Sequence, residues 1–193
     1  MTVHKVVIAL GANLGDPVAA LRGAVGALAG HGITVTSSSS LYVTEPVGGP
    51  EQPQYVNAVV VGTTELAALN VLDVLQEIEQ VWGRTREVRW GPRTLDLDLI
   101  SWDTEVLDSE RLTLPHPRAA ERGFVLIPWL EAEPDAHVVD DLGSVGLQLA
   151  GDGTLHARQR FQPGEPAPDF VAPVASGLVE HLRTQGGAVL LVR

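Results

Sequence analysis

A chain of 193 residues with 13 Lys and Arg against 24 Asp and Glu carries a formal net charge of −11. Twelve of the 13 basic residues are Arg, the one lysine is Lys5, and there is no cysteine. These counts exclude a disulfide framework, a thiol nucleophile, Cys-ligated zinc and iron–sulfur clusters. They also exclude a phosphate-loop lysine, because no glycine-rich loop precedes Lys5. If the protein handles phosphate, arginine must do it, and the planar guanidinium is suited to gripping two phosphate oxygens at once.

The length fits one domain or one domain with a small extension. The acidic excess argues against a nucleic-acid partner and against anionic membranes. The longest early apolar run, Val6 to Leu10, is too short for a signal-peptide core or a span of about 20 residues, so a cytoplasmic protein is expected. The charge is uneven: residues 84–124 hold 7 of the 13 basic groups, whereas residues 1–83 hold 2. Any anion site belongs in that Arg-rich stretch.

In chain order, residues 3–10 read as a buried strand ending at Gly11. Ala12 to Pro17 is turn chemistry followed by a helix start, with Asp16 as cap and Pro17 at the first helical position. Leu21, Val25 and Leu28 carry this helix to about Ala29, where Gly30 and Gly32 stop it. Residues 33–44 are β-branched and rich in hydroxyls, which predicts a strand. Residues 45–53 form a Pro- and Gly-dense loop, and 54–63 a second strand antiparallel to the one before. Leu66, Leu69, Leu72, Leu75 and Ile78 predict an apolar stripe on a second helix ending near Trp82 and Gly83. An Arg-rich loop, 84–93, leads to an alternating strand at 94–102.

The order β-α-β-β-α-β predicts an α+β, ferredoxin-like core: an antiparallel sheet with helices packed on it. Beyond it, 105–114 reads as a short hairpin, 118–132 as holding a helix, and 133–143 as loop or short strand. From about 151 the chain turns Pro-rich, and the division expected is a domain over 1–150 with a C-terminal extension over 151–193. Within that extension, 175–193 predicts a short helix and then a strand at 188–192. The extension is expected to pack on the core or to mediate an interface.

Asp96 and Asp98 are the sharpest chemical signal. Residues i and i+2 of a strand share a face about 6.5–7 Å apart, while Leu95, Leu97 and Leu99 fill the other face. Two carboxylates on a rigid strand are hard oxygen ligands suited to Mg²⁺; the alternative is an amphipathic strand with one solvated face. Arg84, Arg86, Arg89 and Arg93 lie within 14 residues of Asp98, around Trp90-Gly91-Pro92. Clustered Arg beside paired Asp is the inventory of phosphoryl transfer.

Residues 89–100, RWGPRTLDLDLI, resemble the signature of the 6-hydroxymethyl-7,8-dihydropterin pyrophosphokinase family. ALGANLGD (9–16), YVTEPVGGPEQPQYVNAV (42–59), EQVWGR (79–84) and RLTLPHPRAAERGFVLIPWLE (111–131) are similar to further family motifs, in order and at compatible spacing. The resemblance covers about residues 3–142. It implies transfer of pyrophosphate from ATP, as co-substrate, to the hydroxymethyl group of the pterin in folate biosynthesis, giving AMP.

Position by position, the resemblance implies that Asp96 and Asp98 bind two Mg²⁺ ions bridging the ATP phosphates. Arg84 and Arg93 would contact the phosphates and stabilise the transferred charge, and Asp98 would also assist with the proton. Trp90 would close over the substrates, and His116 and Arg122 would contact the triphosphate. Gln76, Arg111 and Thr113 would lie near the nucleoside. Asn57, beside Tyr55, would hydrogen-bond the pterin, Phe124 would stack on it, and Thr44, Pro46 and Val47 would line its pocket. Arg86 and Arg89 receive no separate role.

Read without the family, His116 between two prolines is a turn residue, Tyr55 and Phe124 are core, and Gln76 is an ordinary helix position. A monomer is expected, with a dimer through the extension as the alternative, and neither nucleic acid nor membrane as partner. Two other functions remain: a noncatalytic nucleotide- or pterin-binding paralogue, which the retained Asp pair and Arg93 disfavour, and an RNA-binding ferredoxin-like module, which the charge and sparse aromatics disfavour.

Overall fold

The computed structural model describes residues 2–46, 50–83, 91–119, 122–140, 143–149, 155–161 and 191–192. It is a mixed α/β protein built on an antiparallel sheet, with three helices among the described residues.

β1 (His4–Ala12) is the central strand and is almost wholly buried. It pairs on one side with β4 (Tyr55–Thr64) and on the other with β5 (Asp96–Trp102), both antiparallel. β4 pairs in turn with β2 (Ile33–Ser38) and β3 (Leu41–Thr44). The strand expected over 33–44 is therefore two strands. Ser38 faces Val60 and Tyr42 faces Asn57, so one extra residue lies between the two registers. That is a bulge, at which the Ser39 hydroxyl accepts the Val59 N–H at 3.0 Å.

α1 (Pro17–Gly30) starts as its sequence predicts: the Asp16 carboxylate accepts the Ala19 N–H at 3.0 Å and Pro17 opens the helix. α2 (Ala68–Val81) differs from expectation. Its buried face is Ala68, Val71, Leu75, Ile78 and Glu79, while Leu69 is 40% exposed. Leu66 lies before the helix, and contact with the sheet core puts Val71 rather than Leu69 in the inward place. Both helices cover one face of the sheet, over Val6, Ile8, Leu10, Val56, Ala58, Val60, Leu95, Leu97 and Leu99.

The other face carries α3 (Gly123–Ala132), which packs Val125, Leu126, Trp129 and Leu130 on Val7, Ala9, Val59, Val61 and Ile100. The helix expected within 118–132 thus starts at Gly123, after a turn held by the His116 carbonyl. Ile100, on the same alternation as Asp96 and Asp98, joins this second core, and the register with β1 shifts beside it, between Val7 and Ile8.

β6 (Leu107–Asp108) and β7 (Thr113–Leu114) form the hairpin expected over 105–114. β8 (His137–Asp140) supplies the short strand expected in 133–143, and joins β9 (Gly143–Leu149) and β10 (Leu155–Phe161) in a separate antiparallel sheet. The sequence reading had no counterpart for β9 and β10. β11 (Leu191–Val192) pairs with β3 at the edge of the main sheet. The helix expected in 175–187 lies outside the described residues. No helix among the described residues is long and apolar enough to cross a membrane.

Candidate active site

The strand registers place the site. On the α3 face, one row of directly paired residues runs across four strands: Tyr42 on β3, Asn57 on β4, Gly11 on β1 and Asp96 on β5. The next row is Val59, Ala9 and Asp98, and there the apolar contact with α3 begins. The core is sealed up to that line, and polar groups line the sheet beyond it. Gly11 keeps the row passable: a Cβ there would lie 3.0 Å from the Asn57 Oδ1 and 3.9 Å from the Tyr55 ring. Asn57 and Asp96 are thus two strand spacings apart, about 10 Å, with no side chain between them.

Asp96 and Asp98 share this face, as the alternation predicts, with Leu95, Leu97 and Leu99 buried behind them. Arg93 is ion-paired to Asp96. Arg122 Nη1 lies 3.6 Å and His116 Nε2 4.0 Å from the Asp98 carboxylate. Burial pushes the Asp98 carboxyl above its ordinary value and the Asp96 charge adds to the shift, against the pull of His116, Arg122 and Arg93. Burial likewise lowers the His116 imidazole, and the neighbouring Asp98 only partly offsets it. The Arg118 N–H donates to His116 Nδ1 at 3.2 Å, so in the neutral ring the proton sits on Nε2, the nitrogen facing Asp98.

Arg122 also lies over the Phe124 ring, 5.6 Å from its centroid. An arginine at a helix N-terminus opposes the helix dipole, and its side chain makes no capping bond; it serves Asp98 and Phe124 instead. On the other flank Asn57 Nδ2 donates to Thr44 Oγ1 at 2.7 Å, with both residues buried. The Tyr55 hydroxyl lies 3.2 Å from both Gln52 Oε1 and the Gly91 carbonyl. Half-buried Pro46 lies two residues beyond the end of β3.

Nine of the predicted site residues, Thr44, Tyr55, Asn57, Arg93, Asp96, Asp98, His116, Arg122 and Phe124, therefore gather on or beside one sheet face. Arg111, Thr113 and Gln76 form a second group. Arg111 is ion-paired to Asp73 of α2, Gln76 lies one turn further along that helix, and Thr113 Oγ1 is 3.4 Å from Asp108 Oδ1. The hairpin bearing Arg111 and Thr113 packs Leu107, Leu112 and Leu114 into the core on the α1–α2 side. Val47, Arg84 and Trp90, with Arg86 and Arg89, lie outside the described residues.

Two residues of the site carry no role in the sequence reading. Asn13, 4% exposed, spends its whole amide on neighbouring segments. Its Oδ1 accepts the Arg93 N–H at 2.7 Å, and its Nδ2 donates to Gln52 Oε1 at 3.1 Å and to the Pro53 carbonyl at 3.0 Å. Its own N–H donates to the Arg93 carbonyl at 3.0 Å. Within the ALGANLGD turn nothing distinguished it from an ordinary turn asparagine. Glu79, 2% exposed, accepts the Leu97 N–H at 2.7 Å, the amide between the two aspartates on the outer edge of β5. Its signal was available: an acid four residues after Leu75 falls on the apolar stripe.

The donor set fits Mg²⁺. Two carboxylates on one strand face supply hard oxygens, and Mg²⁺ characteristically takes one or two carboxylates and leaves its remaining positions to water and phosphate. Among the described residues no cluster of three or more His, Asp or Glu adds to them.

Residues 7–134 match the model of a family described as 7,8-dihydro-6-hydroxymethylpterin-pyrophosphokinase (HPPK). A 2-amino-4-hydroxy-6-hydroxymethyldihydropteridine pyrophosphokinase of Bacillus subtilis (strain 168) is 50% identical over 125 residues, covering 64% of this chain and 75% of that one. A protein of the same name from Synechocystis sp. is 44% identical over 182 residues, 85% of this chain and 92% of that one. Among solved structures, a Plasmodium falciparum HPPK-DHPS superposes with a TM-score of 0.54 at 14% identity, covering 69% of this chain and 41% of that chain. At that identity the likeness concerns the fold, and this chain spans well under half of the solved one.

Proposed function

The chain belongs to the 7,8-dihydro-6-hydroxymethylpterin-pyrophosphokinase family, and on that premise we propose its reaction and the residues that perform it. The protein transfers the pyrophosphoryl group of ATP to 6-hydroxymethyl-7,8-dihydropterin, giving AMP and the pterin diphosphate, a step of folate synthesis. The hydroxymethyl oxygen bonds to the β-phosphorus, the bond from that phosphorus to the α–β bridging oxygen breaks, and AMP leaves with that oxygen. The hydroxymethyl proton is released.

One observation carries the assignment of the site: the row Asn57, Gly11, Asp96. It sets a pterin-side amide and a phosphate-side carboxylate about 10 Å apart on one face, the span needed to bring a pterin's hydroxymethyl group to a phosphate held at the aspartates. Positioning two substrates so that they react as one is the larger part of the catalysis such a site supplies.

Asp96 and Asp98 would hold two Mg²⁺ ions, which when bound neutralise phosphate charge. Arg93, fixed by Asp96 through its side chain and by Asn13 through its backbone, faces the phosphates. His116 and Arg122 flank Asp98 and bind the remaining phosphate oxygens, and Asp98 assists in accepting the hydroxymethyl proton. Asn57 and Thr44 read the pterin edge, with Tyr55 behind them and Phe124 stacked on the ring. Pro46 and Val47 line that pocket. Arg84 and Trp90 act from the 84–90 segment on the phosphates and on closure, and Gln76, Arg111 and Thr113 meet the nucleoside.

The core over β1 to β5 is best described as ferredoxin-like, which its strand order supports. A division into a catalytic domain over 1–150 and an extension over 151–193, a monomeric state and a cytoplasmic location complete the reading.

The test is purified protein with ATP, Mg²⁺ and the dihydropterin, followed by chromatography of the nucleotides. AMP formed in step with the pterin diphosphate is expected. ADP, or turnover that ignores the pterin, would overturn the assignment. Titration with ATP and with RNA separates it from the RNA-binding alternative.

A further inference from the structure

α3 spans the sheet from edge to edge. Its first residues serve the site: Arg122 reaches Asp98 on β5, and Phe124 lies beneath the Arg122 guanidinium. Its last turn reaches the opposite edge, and there one side chain does most of the fastening. Glu131 accepts three hydrogen bonds: the Ser40 N–H at 2.9 Å and the Tyr42 hydroxyl at 2.5 Å on Oε2, and the Ser40 hydroxyl at 2.6 Å on Oε1.

Two of these donors are on Ser40, in the kink between β2 and β3, and the third is on Tyr42, the second residue of β3. The bulge turns the Ser40 amide away from the β4 ladder, and Glu131 supplies the acceptor it would otherwise lack. Tyr42 is 1% exposed and faces Asn57 in register, so it stands at the end of the row that runs through Asn57 and Gly11 to Asp96. Two residues further on, Thr44 receives the Asn57 amide at 2.7 Å. β3 is only four residues long, too short for its angle to be fixed by ladder bonds alone. A carboxylate receiving several part-buried hydroxyl and amide donors is among the stronger polar ties available to a protein.

We propose that Glu131, acting through Tyr42 and Ser40, is a positioning residue for the pterin: it sets β3 against α3 and thereby fixes the gap between Phe124 on the helix and Thr44 and Asn57 on the strands. This deepens the functional reading above and rests on it. The carboxylate touches no substrate. Its effect is confined to the pterin half of the site, because α3 is tied to β1 and β2 independently. Glu133 accepts from Lys5 at 2.6 Å and from Trp129 Nε1 at 2.9 Å, and Ser37 donates to the Ala132 carbonyl at 2.7 Å.

The experiment compares Glu131→Ala, Glu131→Gln and Tyr42→Phe with the parent in steady-state kinetics and in equilibrium binding of the dihydropterin. Glu131→Ala leaves a half-buried amide and two hydroxyls without their acceptor and should raise KM and Kd for the pterin by about tenfold. KM for ATP should stay within about twofold. Glu131→Gln keeps an acceptor for Ser40 and should recover most of the loss, and Tyr42→Phe should fall between.

Equal rises in both KM values, a fall in kcat with the pterin KM unchanged, or a lowered melting temperature with parental kinetics would each overturn the proposal. If Glu131→Ala does not fold, Tyr42→Phe and Glu131→Gln still decide it through the same split. A parent enzyme that makes no AMP would instead refute the functional reading, so the two failures are distinct.

Discussion

The lone lysine first serves to exclude lysine chemistry at phosphate, and the structure gives it another task. Lys5 sits at the start of β1 and ties Glu133 of the α3 C-terminus, away from the Asp96 row, where Arg93 and Arg122 accompany Asp96 and Asp98. Two predictions belong at this scale. Asp96→Ala removes a carboxylate from the metal face while Leu95 and Leu97 keep the strand anchored. AMP formation should fall by at least about a hundredfold, with a melting temperature close to the parent's; near-normal turnover would remove Asp96 from the ligand set. Asn13→Ala strips the Arg93 amide, Gln52 and Pro53 of a shared partner. Stability should drop by about 1–3 kcal/mol in urea unfolding, and kcat/KM should fall with it because Arg93 loses its backbone anchor. Asn13→Asp keeps the acceptor for Arg93 and should retain more activity than Asn13→Ala.

Among the elements, α1 follows its local code and α3 departs from it. Asp16 and Pro17 make the start of α1 a local matter, so Asp16→Ala should cost about 1 kcal/mol, read as a lower melting temperature with unchanged kinetics. Inside α1, Gly23 is required by packing: a Cβ there would lie 2.2 Å from the Trp82 ring. Gly23→Ala, ordinarily favourable in a helix, should instead destabilise the protein by about 1–3 kcal/mol through overpacking. A higher melting temperature for this variant would show that Trp82 moves aside at no cost. α3 begins at Gly123 with Arg122 as an N-cap residue that makes no side-chain capping bond, and it carries Pro128 inside it, which removes the intrahelical donor to the Phe124 carbonyl. Both features run against helix formation, and both concern the end that carries the site residues. Tertiary packing of Val125, Leu126, Trp129 and Leu130 holds the helix in spite of them.

For the whole molecule, one sheet separates two cores: α1 and α2 build the larger, and α3 covers only part of the other face, leaving the site at its border. β3 is the penultimate strand on the side of Asn57 and Thr44, and β11 pairs with it as the edge strand. A chain shortened to residues 1–161 should expose the edge of β3, since an unpaired strand edge invites association with another chain. Light scattering should then report more self-association than in the parent, and thermal unfolding a lower midpoint; a shortened chain with the parent's association state and stability would show that the edge needs no cover.

The alternation of 94–102, the cap of α1, the hairpin at 105–114 and the Asp–Arg inventory were all legible in the sequence because each rests on neighbours within a few residues. The phase of α2 was not, since a run of Leu at every third position fits more than one helix face, and only contact with the sheet chose Val71 over Leu69. The break at Ser39 and Ser40 was not legible either, because a bulge is a property of two strands in register. Asn13 and Glu131 stayed hidden for the same reason: their partners lie 39 to 91 residues away along the chain. The residues on their own determined what chemistry the protein could do. The strand registers decided which of them meet, because Asn57, Gly11 and Asp96 become a single row only when β4 and β5 pair on either side of β1.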